Sequence, residues 1–198
     1  MTAPNTLLQL AGADLHPAKV RDAALVLIDF QNEYLAGPIA VSSAAPAIAS
    51  AAKLLAAARR DRAPVLHIAH RGARGGLFDR AAERGQIVAA LVPQPGETVV
   101  EKGLPNAFAG TDLQALLAET GRRNVILAGF MTHMCVSSTA RAAIDLGLRV
   151  TIDASACGTR SLPDGRGGAI SAEIVHDVAL AELADRFAII ARAQEELV

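Results

Sequence analysis

Three side chains stand where acyl-transfer chemistry would need them. Asp29 ends the apolar run "ALVLI" (24–28), Lys102 follows "TVVE" (98–101), and Cys135 follows the short turn "FMTHM" (130–134). A carboxylate placed directly after five apolar residues is costly to bury unless it is paired or put to use. Lys102 can be its partner, and an ion pair without a catalytic task is the plain alternative. A thiol at the start of a helix faces backbone N–H groups and the positive end of the helix dipole, which lower its pKa from about 8.5. Its plain alternative is a small buried hydrophobe. Together the three can do more. Asp29 takes the thiol proton, Cys135 attacks an electrophilic carbonyl, and Lys102 stabilises the thiolate and keeps the carboxylate in place. Backbone N–H groups of the turn before the helix would receive the developing oxyanion.

The elements that must position these residues follow from the apolar pattern. Short runs rich in Val, Ile and Leu alternate with longer Ala/Leu segments charged at helical spacing, the pattern of parallel strands covered by helices. Strands are expected at 24–30, 64–70, 97–103, 124–130, 149–153 and 187–190. Pro46 is expected to open a helix that ends at Arg59 and Arg60. Thr111 and Gln114 read as a capping box, with Gly121 as the left-handed stop. Cys135 opens a third helix running to Gly147, and "AISAEIVHDVALAELAD" forms a fourth. The expected fold class is α/β, a Rossmann-like three-layer α-β-α arrangement with a six-stranded, mostly parallel sheet formed by one domain over residues 1–198. In such a sheet ligands bind outside the carboxyl ends of the strands, where Asp29, Lys102 and Cys135 fall. Two long segments, 71–96 and 154–168, read equally as lids or as surface loops.

Composition excludes several classes of function. Hydrophobic residues make up 52% and charged residues 20% of 198, with a net charge of -1. That leaves no basic footprint for nucleic acid, and the scarcity of aromatics leaves no base-stacking surface. No run reaches the roughly 18 apolar residues of a membrane span, and no secretory signal is read at the N-terminus, so a cytoplasmic protein is expected. Cys135 and Cys157 are then reduced, with Cys157 inert. "RGARGG" lacks the spacing of a dinucleotide loop, so no cofactor is expected. His67 and His70 lie three apart on a strand and point to opposite faces, a poor chelating pair; no metal site is read. His67 reads as core. Gln31 and Tyr34 follow Asp29 closely enough to contact a substrate, with packing of the first loop as the competing reading; His70 reads as site-lining or structural, and His133, in the turn before Cys135, as bordering the pocket or on the surface. Arg160 and Arg166 could meet a substrate carboxylate, with solvated loop charges as the competing reading. His176, in mid-helix, reads as structural.

The segments "LVLIDFQNEY", "EKGLPNAFAGTDL" and "VILAGFMTHMCVSSTARAAIDLG" resemble the isochorismatase-like cysteine hydrolases, over roughly residues 22–190. The resemblance places the family triad on Asp29, Lys102 and Cys135. It implies a cis peptide between Phe130 and Met131, an oxyanion site made by the Met131 and Cys135 N–H groups, and Phe108 near the pocket. It also implies a homo-oligomer. The metal-binding histidines of nicotinamidases have no counterpart here, since no His lies between Asp29 and His67. The activity implied is cysteine-dependent hydrolysis of a carbon–nitrogen bond in a small amide, ureide or carbamoyl substrate. Vinyl ether hydrolysis of the isochorismatase type, which needs no thiol, and redox sensing through Cys135 are the alternatives.

Overall fold

The computed structural model describes residues 4–198. Six strands, β1 (Ala23–Ile28), β2 (Val65–His70), β3 (Thr98–Lys102), β4 (Asn124–Phe130), β5 (Arg149–Gly158) and β8 (Ile189–Ala191), form one sheet in the order β3-β2-β1-β4-β5-β8. Every pairing in it is parallel. The small hairpin of β6 (Leu162–Pro163) and β7 (Ala169–Ile170) stands apart. The helices are α1 (Leu7–Leu10), α2 (Ala44–Arg60), α3 (Leu113–Glu119), α4 (Ser137–Asp145) and α5 (Ala172–Arg186).

The period-2 alternation of a strand splits β1 between two cores. Ala23, Leu25 and Leu27 pack with Leu54, Leu55 and Ala58 of α2. Ala24, Val26 and Ile28 pack with Leu113 and Leu117 of α3, Ala140 of α4 and Leu180 of α5. Burial of each such Leu or Ile contributes about 1.5–3 kcal/mol. Because both faces are covered, β1 reads as an unbroken apolar run and not as an alternating one.

Several boundaries differ from the sequence expectation. The Thr111–Gln114 capping box does not form. Asp112 is the N-cap of α3 without a side-chain bond, while the Thr111 hydroxyl turns back to the Ala107 carbonyl. Gly121 does adopt the left-handed conformation, at φ +67°. α2 starts two residues before Pro46. Strand β5 continues to Gly158 through a segment expected to be loop. Its register skips between Leu127↔Ile152 and Gly129↔Cys157, and the Asp153 carboxylate closes the resulting bulge by accepting from the Ser155 and Ala156 N–H groups. Among the described residues no helix is long and apolar enough to cross a membrane.

Candidate active site

β1 and β4 are neighbours, and their carboxyl ends bring Asp29 and Cys135 together. The approach is tight at Gly129, where φ is +147° and a Cβ would lie 2.0 Å from the Ile28 carbonyl oxygen. Only glycine fits there. Asp29 itself has φ +52°. A non-glycine residue in this region is strained and persists where its surroundings over-determine it, often at functional sites. Lys102 arrives from the end of β3, reaching past β2.

The Lys102 ammonium is the hub of the site. Its Nζ lies 2.7 Å from Asp29 Oδ2, 3.4 Å from Cys135 Sγ and 3.2 Å from His70 Nδ1. An ammonium has three protons and no acceptor, so all three are committed, and His70 must accept at Nδ1 and carry its proton on Nε2. Burial, and then the Lys102 charge, push His70 below its ordinary range, which keeps the ring uncharged. The Asp29 carboxylate is also within hydrogen-bonding reach of the Cys135 thiol, and so can take its proton. The three side chains are almost sealed: Asp29 is 0%, Lys102 1% and Cys135 4% exposed.

Cys135 departs from expectation in two ways. It lies in a π-helical turn, Thr132–Val136, that precedes α4, and so does not itself open the α-helix. Burial and the nearby Asp29 charge push its thiol up to about 12, with Lys102 opposing. Desolvation outweighs the dipole that a helix start supplies, so the resting group is a thiol. Burial likewise raises the Asp29 carboxyl, against the pull of Lys102. Its basicity rises toward what deprotonating a thiol requires. The Phe130–Met131 peptide is cis, as the resemblance implies.

The remaining candidates divide by what their polar atoms do. Gln31 is fully buried, and its amide bonds backbone only, donating to the His70 and Gly85 carbonyls and accepting from the His70 N–H. Tyr34 is 2% exposed and packs edge-on against Phe130. His133 Nδ1 lies 2.6 Å from Thr159 Oγ1, while its Nε2 is buried without a partner among the described residues. Phe108 is half-buried against the core cluster that contains Cys135. His67 is core, 2.9 Å from Glu97, and His176 bonds Thr132 from α5. Cys157 is buried and free.

One residue near the site, Phe78, carries no signal strong enough to single it out in sequence. Phe78 packs its ring on His70 and Tyr34. Arg160 lies two residues beyond Gly158, which pairs with Phe130 at the carboxyl end of β4. Its Nε is buried without a partner among the described residues, and Arg160 is half-buried, not solvated as the competing reading has it. Arg166 is exposed. A hollow of about 500 Å³ lined by Leu8, Ile144, Leu148 and Phe187 sits at the amino ends of β5 and β8. That end is opposite the one where such sheets bind ligands.

The fold and motifs agree with comparisons to known proteins. The Isochorismatase domain model matches residues 23–195. The secreted isochorismatase effector Isc1 of Verticillium dahliae is 36% identical over 179 residues, covering 90% of this chain and 92% of that protein. A maleamate amidohydrolase of Pseudomonas putida is 33% identical over 157 residues, 71% of this chain and 74% of that one. A crystal structure of an isochorismatase from Pseudomonas putida KT2440 superposes with a TM-score of 0.95 at 42% identity, covering 99% of this chain and 100% of that one. With the matched domain spanning the sheet and all three reactive residues, the chain belongs to the isochorismatase family of hydrolases.

Proposed function

We propose that the protein hydrolyses a carbon–nitrogen bond of a small amide, ureide or carbamoyl compound through a Cys135 thioester. One observation carries this reading: the Lys102 ammonium touches the Asp29 carboxylate and the Cys135 sulfur at once, in a site closed to bulk water. A buried ion pair that served packing alone would have no use for a thiol as a third member. Asp29 takes the S–H proton as the sulfur bonds to the carbonyl carbon. The oxyanion is received by the Met131 and Cys135 N–H groups. Collapse breaks the C–N bond, and Asp29 returns the proton to the departing nitrogen. Asp29 then takes a proton from water, whose oxygen attacks the thioester and releases the acid and the thiol. His70 and Gln31 hold Lys102 and the end of β2, while Phe108, His133 and Tyr34 form walls. No cofactor or metal takes part in this scheme.

The unpartnered Nε of Arg160 supports a substrate with a carboxylate, since a guanidinium matches that group with two parallel hydrogen bonds. Maleamate, named for one relative, is an amide of this kind. We place the protein in the cytoplasm, where two unpaired thiols stay reduced. We also propose a homo-oligomer, because α5 is apolar outward as well as inward: Ile174 and Val178 are 56% and 52% exposed opposite buried Leu180 and Leu183.

The test is a panel of amides, ureides and carbamoyl compounds read by ammonia release, with wild type and Cys135→Ala compared. Loss of turnover in the variant, with an unfolding free energy changed by about 1 kcal/mol or less, is expected. Retained hydrolysis would remove Cys135 from the reaction. Pyruvate released from isochorismate by both proteins would replace the thioester reading with vinyl ether cleavage.

A further inference from the structure

Among the described residues three non-glycine positions have a left-handed backbone: Asp29, Arg62 and Phe78. Asp29 is in the triad, and Arg62 lies in the exposed turn after α2. Phe78, at φ +57°, sits in the segment between β2 and β3. A bulky side chain in this region is an outlier that needs a cause.

The cause is a grip exerted by the residues that follow Asp29. Gln31 donates to the Gly85 carbonyl at 2.7 Å, Asn32 to the Glu83 carbonyl at 2.9 Å, and Glu33 accepts the Phe78 N–H at 2.8 Å. Glu33 is 4% exposed, and its carboxylate also meets Arg84 at 3.4 Å. The Phe78 carbonyl is taken by the Gly72 N–H. The loop is folded so closely that a Cβ at Gly85 would lie 2.0 Å from the Asp79 carbonyl oxygen. Both backbone polar groups of Phe78 are therefore tied down.

Its ring packs on a histidine of the site. The centroid lies 4.9 Å from that of His70 and 5.2 Å from that of Tyr34, tilted by 57° and 59°. His70 in turn contacts the Lys102 ammonium. The chain has five Phe, one Tyr and no Trp. Four of those six, Phe30, Phe130, Tyr34 and Phe78, form one connected aromatic cluster beside the site. Phe78 is its half-buried outer member, whereas Phe30, Phe130 and Tyr34 are at most 2% exposed.

We propose that Phe78 is a specificity-determining wall on the approach to Cys135. It admits amides and ureides whose carbonyl carbon is bonded to a flat, sp2 atom and excludes those branched at a tetrahedral carbon. A flat group can lie against a fixed ring at stacking distance; a branched carbon needs width that the pinned loop does not yield. The substrate class rests on the thioester reading, but the width of the passage to Cys135 does not.

The experiment separates the two. The whole protein is alkylated with 2-bromoacetamide and with 2-bromopropanamide, which differ by one branching methyl. In each case the sulfur displaces bromide and the thiol proton passes to buffer. Modification of Cys135 is followed by mass spectrometry of its peptide, and each rate is divided by the reagent's rate with free cysteine. The wild type should disfavour the branched reagent by about tenfold, the scale on which one methyl is discriminated in a tight pocket. Phe78→Gly, which keeps the left-handed backbone without strain, should remove that discrimination, and Phe78→Leu should remove part of it. If folded Phe78→Gly keeps the wild-type ratio within about twofold, the wall is elsewhere and the proposal is overturned. Should Phe78→Gly fail to fold, an unchanged ratio in Phe78→Leu overturns it in the same way. Ammonia release from methylurea and isobutyramide is measured in parallel. An altered alkylation ratio without ammonia from any panel compound keeps the wall and removes the thioester reading.

Discussion

Replacing Asp29 by Asn should make the Cys135 thiol more acidic and yet slow hydrolysis severely. In the wild type, burial and the Asp29 charge push the thiol up to about 12, and Lys102 opposes them. At neutral pH only about one sulfur in 10⁵ is then ionised. Asp29→Asn keeps the shape and removes the anion. A like charge at close range typically accounts for about 1–3 pKa units, so the midpoint should fall to about 9–11. The Lys102 ammonium, 3.4 Å from the sulfur and deprived of its carboxylate, favours the thiolate as a replacement counter-ion. Cysteine labelled with ¹³C at Cβ gives one resonance for Cys135 and one for Cys157, and the two can be titrated separately on folded protein. Turnover should fall by about 10²–10⁴, the usual contribution of a positioned base, although more thiolate is present. A Cys135 midpoint that stays put or rises in folded Asp29→Asn would refute the electrostatic account. Retained turnover would refute the assignment of Asp29 as the base.

Alkaline stability should expose the same burial. Cys135 and Cys157 are both raised from 9.0 to about 12 by desolvation, so the folded state holds their protons where the unfolded chain releases them. Their contribution is fully present below pH 9 and is lost as pH rises toward 12, at up to about 1.4 kcal/mol per pH unit for each thiol. Urea unfolding of wild type and Cys157→Ala across that range checks it, because the variant should lose the share of the slope that Cys157 supplies, while Cys135 and buried Tyr34, raised in the same sense, keep theirs; equal slopes would contradict it. Arg160→Gln should raise KM about 10–100-fold for a carboxylated amide and leave a neutral one unaffected, reflecting loss of a hydrogen bond to a charged group. Equal effects on both substrates would return Arg160 to a structural role. Gly129→Ala should destabilise by more than about 3 kcal/mol by denaturant titration, since its Cβ would collide with the Ile28 carbonyl and φ +147° suits no other residue. Wild-type stability would mean that β1 and β4 can separate there.

The parts legible in sequence are those fixed by local pattern. Each parallel strand is an apolar run because both its faces are covered, and a polar residue ending such a run marks the edge at which ligands bind. Asp29 and Lys102 stand out by this rule alone, and Cys135 by following the fourth run. What the pattern cannot carry is environment. The thiol's acidity was expected from its place at a helix start, a local property, yet burial decides it through residues that lie far apart in the chain. Closeness to Asp29 in the chain points Gln31 and Tyr34 toward a substrate or toward packing of the first loop. The same closeness lets residues 31–34 hold the segment carrying Phe78, by side-chain bonds to backbone groups about forty to fifty-five positions away and by packing on its ring. No composition or spacing announces a phenylalanine with a left-handed backbone. Nor does any announce that "ASACG" after the fifth strand continues it, because Asp153 must first fold back to close a bulge. The proposed triad is thus marked by where strands stop, and the proposed selectivity by how one segment between β2 and β3 is tied down. Relatives that share the first can differ in the second, and a shared reaction then need not bring a shared substrate.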